Sequence, residues 1–336
     1  MPLISTLGVM NATGFGFAAN KKTSAVLFGG SASPYISAYP FNTSQGYGTK
    51  YADPTTLPSA ASGIHTGSVS FNYGGTLATI VYNSTAPYIS IYPFSNGFGT
   101  KYANLGTPVV SIAASFNYDS SAIAVTVTGT PFLSAYKWNN GFGTKYIDAA
   151  SAIASFSIRF SNSGIIFTGA SAPPYENAYP FNYSTGFGTR YSDPSVAVQG
   201  RISGIGINET STSILYSNST GTPFLSAYAW SSGFSTKYTA PATIPTAGQY
   251  GANFNKPGTV VNVGGTFIYP WSNSTGFGTK YATSPSASGS PSFNATNTAL
   301  IVGYLAYPWS DASGIGTKYI DPSPLPSVTV STITPY

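Results

Sequence analysis

Short apolar runs, each closed by a cluster of Gly, Ser, Asn or Pro, follow one another along this chain. Inside them apolar and small polar residues alternate, the period of a half-buried strand, and no segment sustains the 3.6-residue period of a helix. Between 109 and 147 the pattern predicts four consecutive strands: Val109 to Phe116, Ser121 to Thr128, Pro131 to Trp138 and Gly141 to Ile147, joined by short Ser/Asn/Gly turns. Other units show the same opening, as in Ser70-Phe71-Asn72-Tyr73-Gly74-Gly75 ahead of Leu77 to Tyr82.

The four-strand unit recurs. A hexapeptide of the type Gly-Phe-Gly-Thr-Lys-Tyr begins at Gly46, Gly97, Gly141, Gly186, Gly233, Gly276 and Gly314, at intervals of 38 to 51 residues and about 45 on average. Upstream of each stands an aromatic pair spaced by one residue: Tyr39/Phe41, Tyr92/Phe94, Tyr136/Trp138, Tyr179/Phe181, Tyr228/Trp230, Tyr269/Trp271 and Tyr307/Trp309. The residue between is proline in five (Pro40, Pro93, Pro180, Pro270, Pro308), which predicts a place where the strand ends or faces no partner, since proline donates nothing to a ladder. A four-stranded antiparallel sheet cannot bury both faces alone. Seven copies stacked face to face and closed radially remove most open edges, so the expected fold is all-β, a seven-bladed β-propeller of four-stranded antiparallel blades forming a single domain over 1–336. The expected blades are about 10–57, 58–107, 108–150, 151–198, 199–245, 246–286 and 287–324. Segment 325–336 is terminal, and whether it completes the first blade, pairs with Leu3 to Leu7 or reaches a neighbour stays open. A β-solenoid would repeat at a finer interval.

The order of strand, Asn/Gly turn, strand and terminal aromatic resembles WD40-like propeller blades over about residues 10–324, without their Trp-Asp dipeptide or Gly-His opening. The resemblance implies the fold and carries no activity.

In the hexapeptide, alternation places Phe98, Thr100 and Tyr102 on one side of the strand and Gly97, Gly99 and Lys101 on the other, with both rings expected in the core between blades. The glycines leave room for close approach by a neighbour. Lys101, and likewise Lys50, Lys145, Arg190, Lys237, Lys280 and Lys318, is expected to lay its stem on a ring with its charge in water. Four acids follow three places on, Asp53, Asp148, Asp193 and Asp321, and exposed pairs there stabilise little. A ring of cations contacting a partner or an anionic glycan is the functional alternative for these seven rim positions.

Only 6% of residues are charged, against 42% apolar and 15% aromatic, which excludes disorder by composition. The net charge of +5 comes from 13 basic and 8 acidic residues with no basic run beyond Lys21-Lys22, so no nucleic-acid partner is expected. There is no cysteine, no apolar stretch long enough for a membrane span, and an opening from Met1 to Ala19 that lacks the basic start of a secretory signal. The one histidine, His65, has no acid near it in sequence, and the closest two of the eight acids are ten apart. No catalytic residue, metal ligand set or cofactor site is therefore expected. Gly-x-Gly in the hexapeptide leads into a strand rather than a helix, unlike a phosphate loop, and the Asn-x-Ser/Thr triplets, such as Asn83-Ser84-Thr85 and Asn273-Ser274-Thr275, follow from composition.

The tandem Gly-Phe-Gly-Thr-Lys-Tyr units followed by Asp-Pro, with the opening Ile4 to Met10 running into Gly14-Phe15-Gly16-Phe17, resemble tailed-bacteriophage virion proteins. That resemblance implies a non-enzymatic structural or assembly protein of a virion, a capsid decoration or tail-associated propeller with other virion proteins as partners. The alternative is a lectin-like propeller recognising host-surface glycans. Exposure discriminates: sugar-stacking rings must be open, whereas blade-stacking rings are buried.

Overall fold

The computed structural model describes residues 24–59, 69–82, 86–106, 110–285, 290–326 and, as backbone only, 330–333. Among these there is no helix, and the strands form seven antiparallel sheets, the blades of a seven-bladed propeller. In the third blade the strands are Ser111–Phe116, Ala122–Val127, Leu133–Trp138 and Phe142–Lys145, innermost to outermost. The first blade is completed from the other end of the chain, where Val330–Ile333 pairs antiparallel with Ser24–Gly29 as its innermost strand. Of the three fates open to the last segment, it takes the one that closes the ring. Residues 1–23 and His65 lie outside the described residues.

Each first hairpin is fixed by one side chain. Asn72 Oδ1 accepts from the backbone N–H of Thr76 and Leu77, both at 2.8 Å, and Asn208, Asn255 and Asn294 do the same in their blades. Ser161 Oγ substitutes in the fourth blade, accepting from Ile165. An Asn that satisfies its own turn leaves the next residue free of any duty in the fold.

The outermost strands are shorter than alternation predicts. Where proline separates the aromatic pair, the fourth strand has two residues, as in Gly46–Tyr47 and Gly186–Phe187, or shrinks to the single bridge Phe94–Phe98. Where Lys137 or Ala229 replaces proline it has four, Phe142–Lys145 and Phe234–Lys237. Proline sits inside the third strand, paired on one side with the second strand as Pro40 is with Ala25, and it shortens the ladder on the other side for want of an N–H. The second hexapeptide glycine exists for that ring: a Cβ on Gly48 would lie 2.8 Å from Pro40 Cγ, and one on Gly188 2.7 Å from Pro180 Cγ. In the fifth repeat a serine, Ser235, occupies this position and the proline opposite is the smaller Ala229.

Because pairing ends early, the two hexapeptide rings do not share a face. Phe98 packs in the cluster between the first and second blades, whereas Tyr102 packs in the cluster between the second and third. The arrangement repeats around the ring. The final hexapeptide tyrosine meets the second aromatic of the next blade's pair edge-to-face: Tyr51 on Phe94, Tyr102 on Trp138, Tyr146 on Phe181, Tyr191 on Trp230, Tyr238 on Trp271, Tyr281 on Trp309 and Tyr319 on Phe41, with centroids 4.8 to 5.7 Å apart. Several hydroxyls also reach the next blade's backbone, such as Tyr146 Oη to Tyr183 O at 2.6 Å and Tyr238 Oη to Asn273 O at 2.7 Å. Each such ring pair stabilises by about 0.5–1.5 kcal/mol beyond its buried area.

One blade interface carries a charge in its core. Glu176 occupies the position that Ile36, Ile89, Leu133 and Leu225 hold in other repeats, and it is fully buried. Its Oε1 accepts from Val198 N at 3.2 Å while Oε2 has no partner. Burial pushes its carboxyl above the usual range, helped by Asp193 and opposed by the Val198 hydrogen bond and Lys237.

Two measurements check this account. In chemical denaturation Tyr146→Ala should cost about 3–5 kcal/mol, as for large-to-small core changes, and Trp138→Ala the same. Tyr146→Phe should cost only about 0.5–1.5 kcal/mol, the value of one hydrogen bond. For Glu176 the folded state favours the protonated acid, so its contribution is fully present below the unfolded value of 4.5 and is lost as pH rises through the folded value. Glu176→Gln should therefore raise the melting temperature at pH 7, with the gain vanishing toward pH 4.

Candidate functional site

The innermost strands of neighbouring blades face one another around the propeller axis and enclose a channel with a cavity of about 320 Å³. Two positions per repeat line it. The first precedes the apolar residue that ends the first strand, and runs Ser70, Ser115, Arg159, Asn253 and Ser292, with Gly206 at the equivalent place in the fifth blade. The second follows the turn Asn or Ser, and runs Tyr73, Tyr118, Asn162, Glu209, Lys256 and Ala295 around one mouth. Repeats that agree at their stacking positions differ at both of these.

Arg159 is the cation of the inner ring. Its Nη2 donates to Asn253 Oδ1 at 3.4 Å, and no carboxylate among the described residues lies within ion-pair distance. Burial disfavours its charge, yet an arginine stays protonated, so a negative group entering the channel relieves an electrostatic cost already present. At the mouth, Tyr73 and Tyr118 stack with centroids 4.1 Å apart at 42°. Tyr73 Oη donates across the opening to Glu209 Oε1 at 3.2 Å, and Asn162 Nδ2 donates to Glu209 O at 3.1 Å. Burial, then bonding with Tyr118 and the charge of Glu209, raise the Tyr73 phenol above its ordinary value, so it stays a donor at neutral pH.

The sequence-predicted positions lie elsewhere. Of the fourteen rings of the aromatic pairs, all but the half-buried Phe181 are buried. They pack blade on blade and offer no open face for a sugar. The seven cations sit outermost, and six of them are engaged locally. Lys50, Lys145, Arg190 and Lys318 pair with Asp53, Asp148, Asp193 and Asp321, at 2.6, 2.7 and 2.8 Å for the three lysines. Lys237 donates to Ala197 O at 3.2 Å and lies 5.6 Å over the Tyr228 ring, and Lys280 donates to Ser284 Oγ at 2.9 Å. Burial lowers the Lys101 and Lys237 ammonium groups, with Glu176 opposing the shift at Lys237. Arg159 and Glu209 escaped sequence reasoning because each departs from the repeat. Aligning the repeats on Phe-Asn would have exposed Arg159 among serines.

The chain matches no known protein family and no curated protein sequence. Many solved structures share its fold. A proposed 6-phosphogluconolactonase of Bacteroides fragilis superposes with a TM-score of 0.68 at 10% identity, covering 93% of this chain and 98% of that one. The periplasmic gluconolactonase of Pseudomonas aeruginosa gives 0.68 at 9%, covering 93% and 99%. A protein from Lactobacillus plantarum gives 0.70 at 11%, covering 93% and 99%.

At these identities the likeness establishes the seven-bladed propeller. It also corrects the expectation of a non-enzymatic virion protein: the functions named among these structures are lactonases, and no virion protein is named among them. Clustered acids and histidines, the signal sought in the sequence, are not how this channel is built: it gathers single charged and polar residues from separate blades.

Proposed function

We propose that the protein binds a phosphorylated sugar derivative in its central channel and hydrolyses a sugar-acid lactone there. The observation that carries this reading is Arg159, a partly buried cation without a carboxylate, set among the hydroxyls and amides of Ser70, Ser115, Asn253 and Ser292. Such a lining suits a polyhydroxylated ligand with one anionic end. The names of the lactonases that share the fold supply the reaction class. In this reaction water adds to the lactone carbonyl carbon and gives its proton to the Glu209 carboxylate, the acid that the channel mouth offers. The ring C–O bond then breaks and the released oxygen takes the proton back, leaving the open hydroxy acid.

Hydrolysis of 6-phosphogluconolactone and of gluconolactone, each corrected for the spontaneous rate, tests this. Arg159→Gln should raise KM for the phosphorylated lactone by about tenfold or more, the value of a charged hydrogen bond, while leaving the unphosphorylated one unchanged. Glu209→Gln should lower kcat at least about 100-fold on both. Absence of turnover above background by the unaltered protein on both lactones would overturn the proposal.

A further inference from the structure

The mouth of the channel is built differently from its wall. Beside the turn Asn that every first hairpin but one uses, the repeats place Tyr73 and Tyr118 in adjacent blades, and their rings lean on each other at a 42° tilt in one aromatic patch. Nothing in blade stacking requires them, since neither belongs to an interblade cluster and Tyr118 is 50% exposed. A half-exposed aromatic beside a polar cavity is the arrangement that binds the apolar face of a sugar ring, one surface apolar and its edges able to hydrogen-bond. The third member fixes its place. The Tyr73 hydroxyl is held by Glu209, whose blade stands across the opening, and the Glu209 backbone is held in turn by Asn162. The platform is thus braced from the far side of the channel and cannot swing into solvent without breaking that bond.

We propose that Tyr73 and Tyr118 form the subsite that stacks against the sugar portion of the ligand whose anionic group Arg159 holds, so that the channel selects a carbohydrate phosphate over phosphate alone. This deepens the reading given above and rests on it. Arg159 supplies charge attraction to any phosphate. The tyrosine platform supplies discrimination, through a face that inorganic phosphate cannot use.

Calorimetric titration of the whole protein with inorganic phosphate and with 6-phosphogluconate separates the two. The unaltered protein should bind the sugar phosphate about tenfold more tightly than phosphate, a difference of about 1.4 kcal/mol. Tyr118→Ala should erase that difference while leaving phosphate affinity unchanged, and Tyr118→Phe, which keeps the ring, should restore it. Equal affinity of the unaltered protein for both probes, or an equal loss for both in Tyr118→Ala, would overturn the platform and leave the Arg159 site standing. If phosphate does not bind and Arg159→Gln changes neither titration, the channel reading itself fails. Circular dichroism of Tyr118→Ala checks that it is folded, and Tyr73→Phe, which removes only the brace to Glu209, gives a second variant expected to narrow the preference.

Discussion

The closed cycle of seven edge-to-face contacts, each joining the last hexapeptide tyrosine to an aromatic of the next blade, is the constraint on which the rest of the structure depends. It sets a close approach between blades at four of the seven junctions, where a Cβ on the first hexapeptide glycine would meet the preceding blade's tyrosine, at 2.9 Å for Gly46 and Tyr319 and 3.0 Å for Gly186 and Tyr146. These glycines also take positive φ, +84° and +85°, which other residues rarely adopt. The contact from Tyr319 to Phe41 joins the last blade to the first, and the pairing of Val330–Ile333 with Ser24–Gly29 closes the same junction by backbone. A ring closed in both ways leaves only the short outermost strands as edges.

A stacking rule this uniform separates framework from function. Positions that face a neighbouring blade repeat with little variation, and within one blade Ser235 replaces the glycine where the proline opposite is the smaller Ala229. Positions that face the axis are released from the rule, and there the chain carries a cation, an acid, two stacked phenols and several amides and hydroxyls. Channel geometry does the rest. Residues from separate blades, about 45 positions apart in sequence, converge on one cavity.

Period, turn chemistry and the aromatic pairs made the fold legible in the sequence, since the hexapeptide and the pair each repeat seven times and the turn Asn recurs in five blades. The shortened outer strands were not legible from alternation: proline within the third strand stops the ladder on one side, and so Phe98 and Tyr102 part to opposite interfaces. The seven rim cations were conspicuous because they repeat, yet six of them are satisfied by neighbours, five within their own blades and Lys237 on Ala197 of the preceding one. Arg159 and Glu209 each occur once at their repeat position, and tyrosine occurs there in two repeats only, as Tyr73 and Tyr118. A reading that seeks recurrence passes over them, although a residue departing from six or seven aligned copies is the mark of a position with another task. Glu176 is the other such departure, an acid in a core position whose burial costs stability near neutral pH.

The central claim is that ligand chemistry belongs to the axis and that the outer hexapeptides belong to the framework. Mapping amide chemical shifts by NMR during titration with 6-phosphogluconate tests it most directly. Perturbations confined to the first strands and their turns, around Arg159, Asn253, Tyr118 and Glu209, are the predicted result. Perturbations centred on the outer hexapeptides, around Lys101, Lys145 and Lys280, with the axis unmoved, would contradict it.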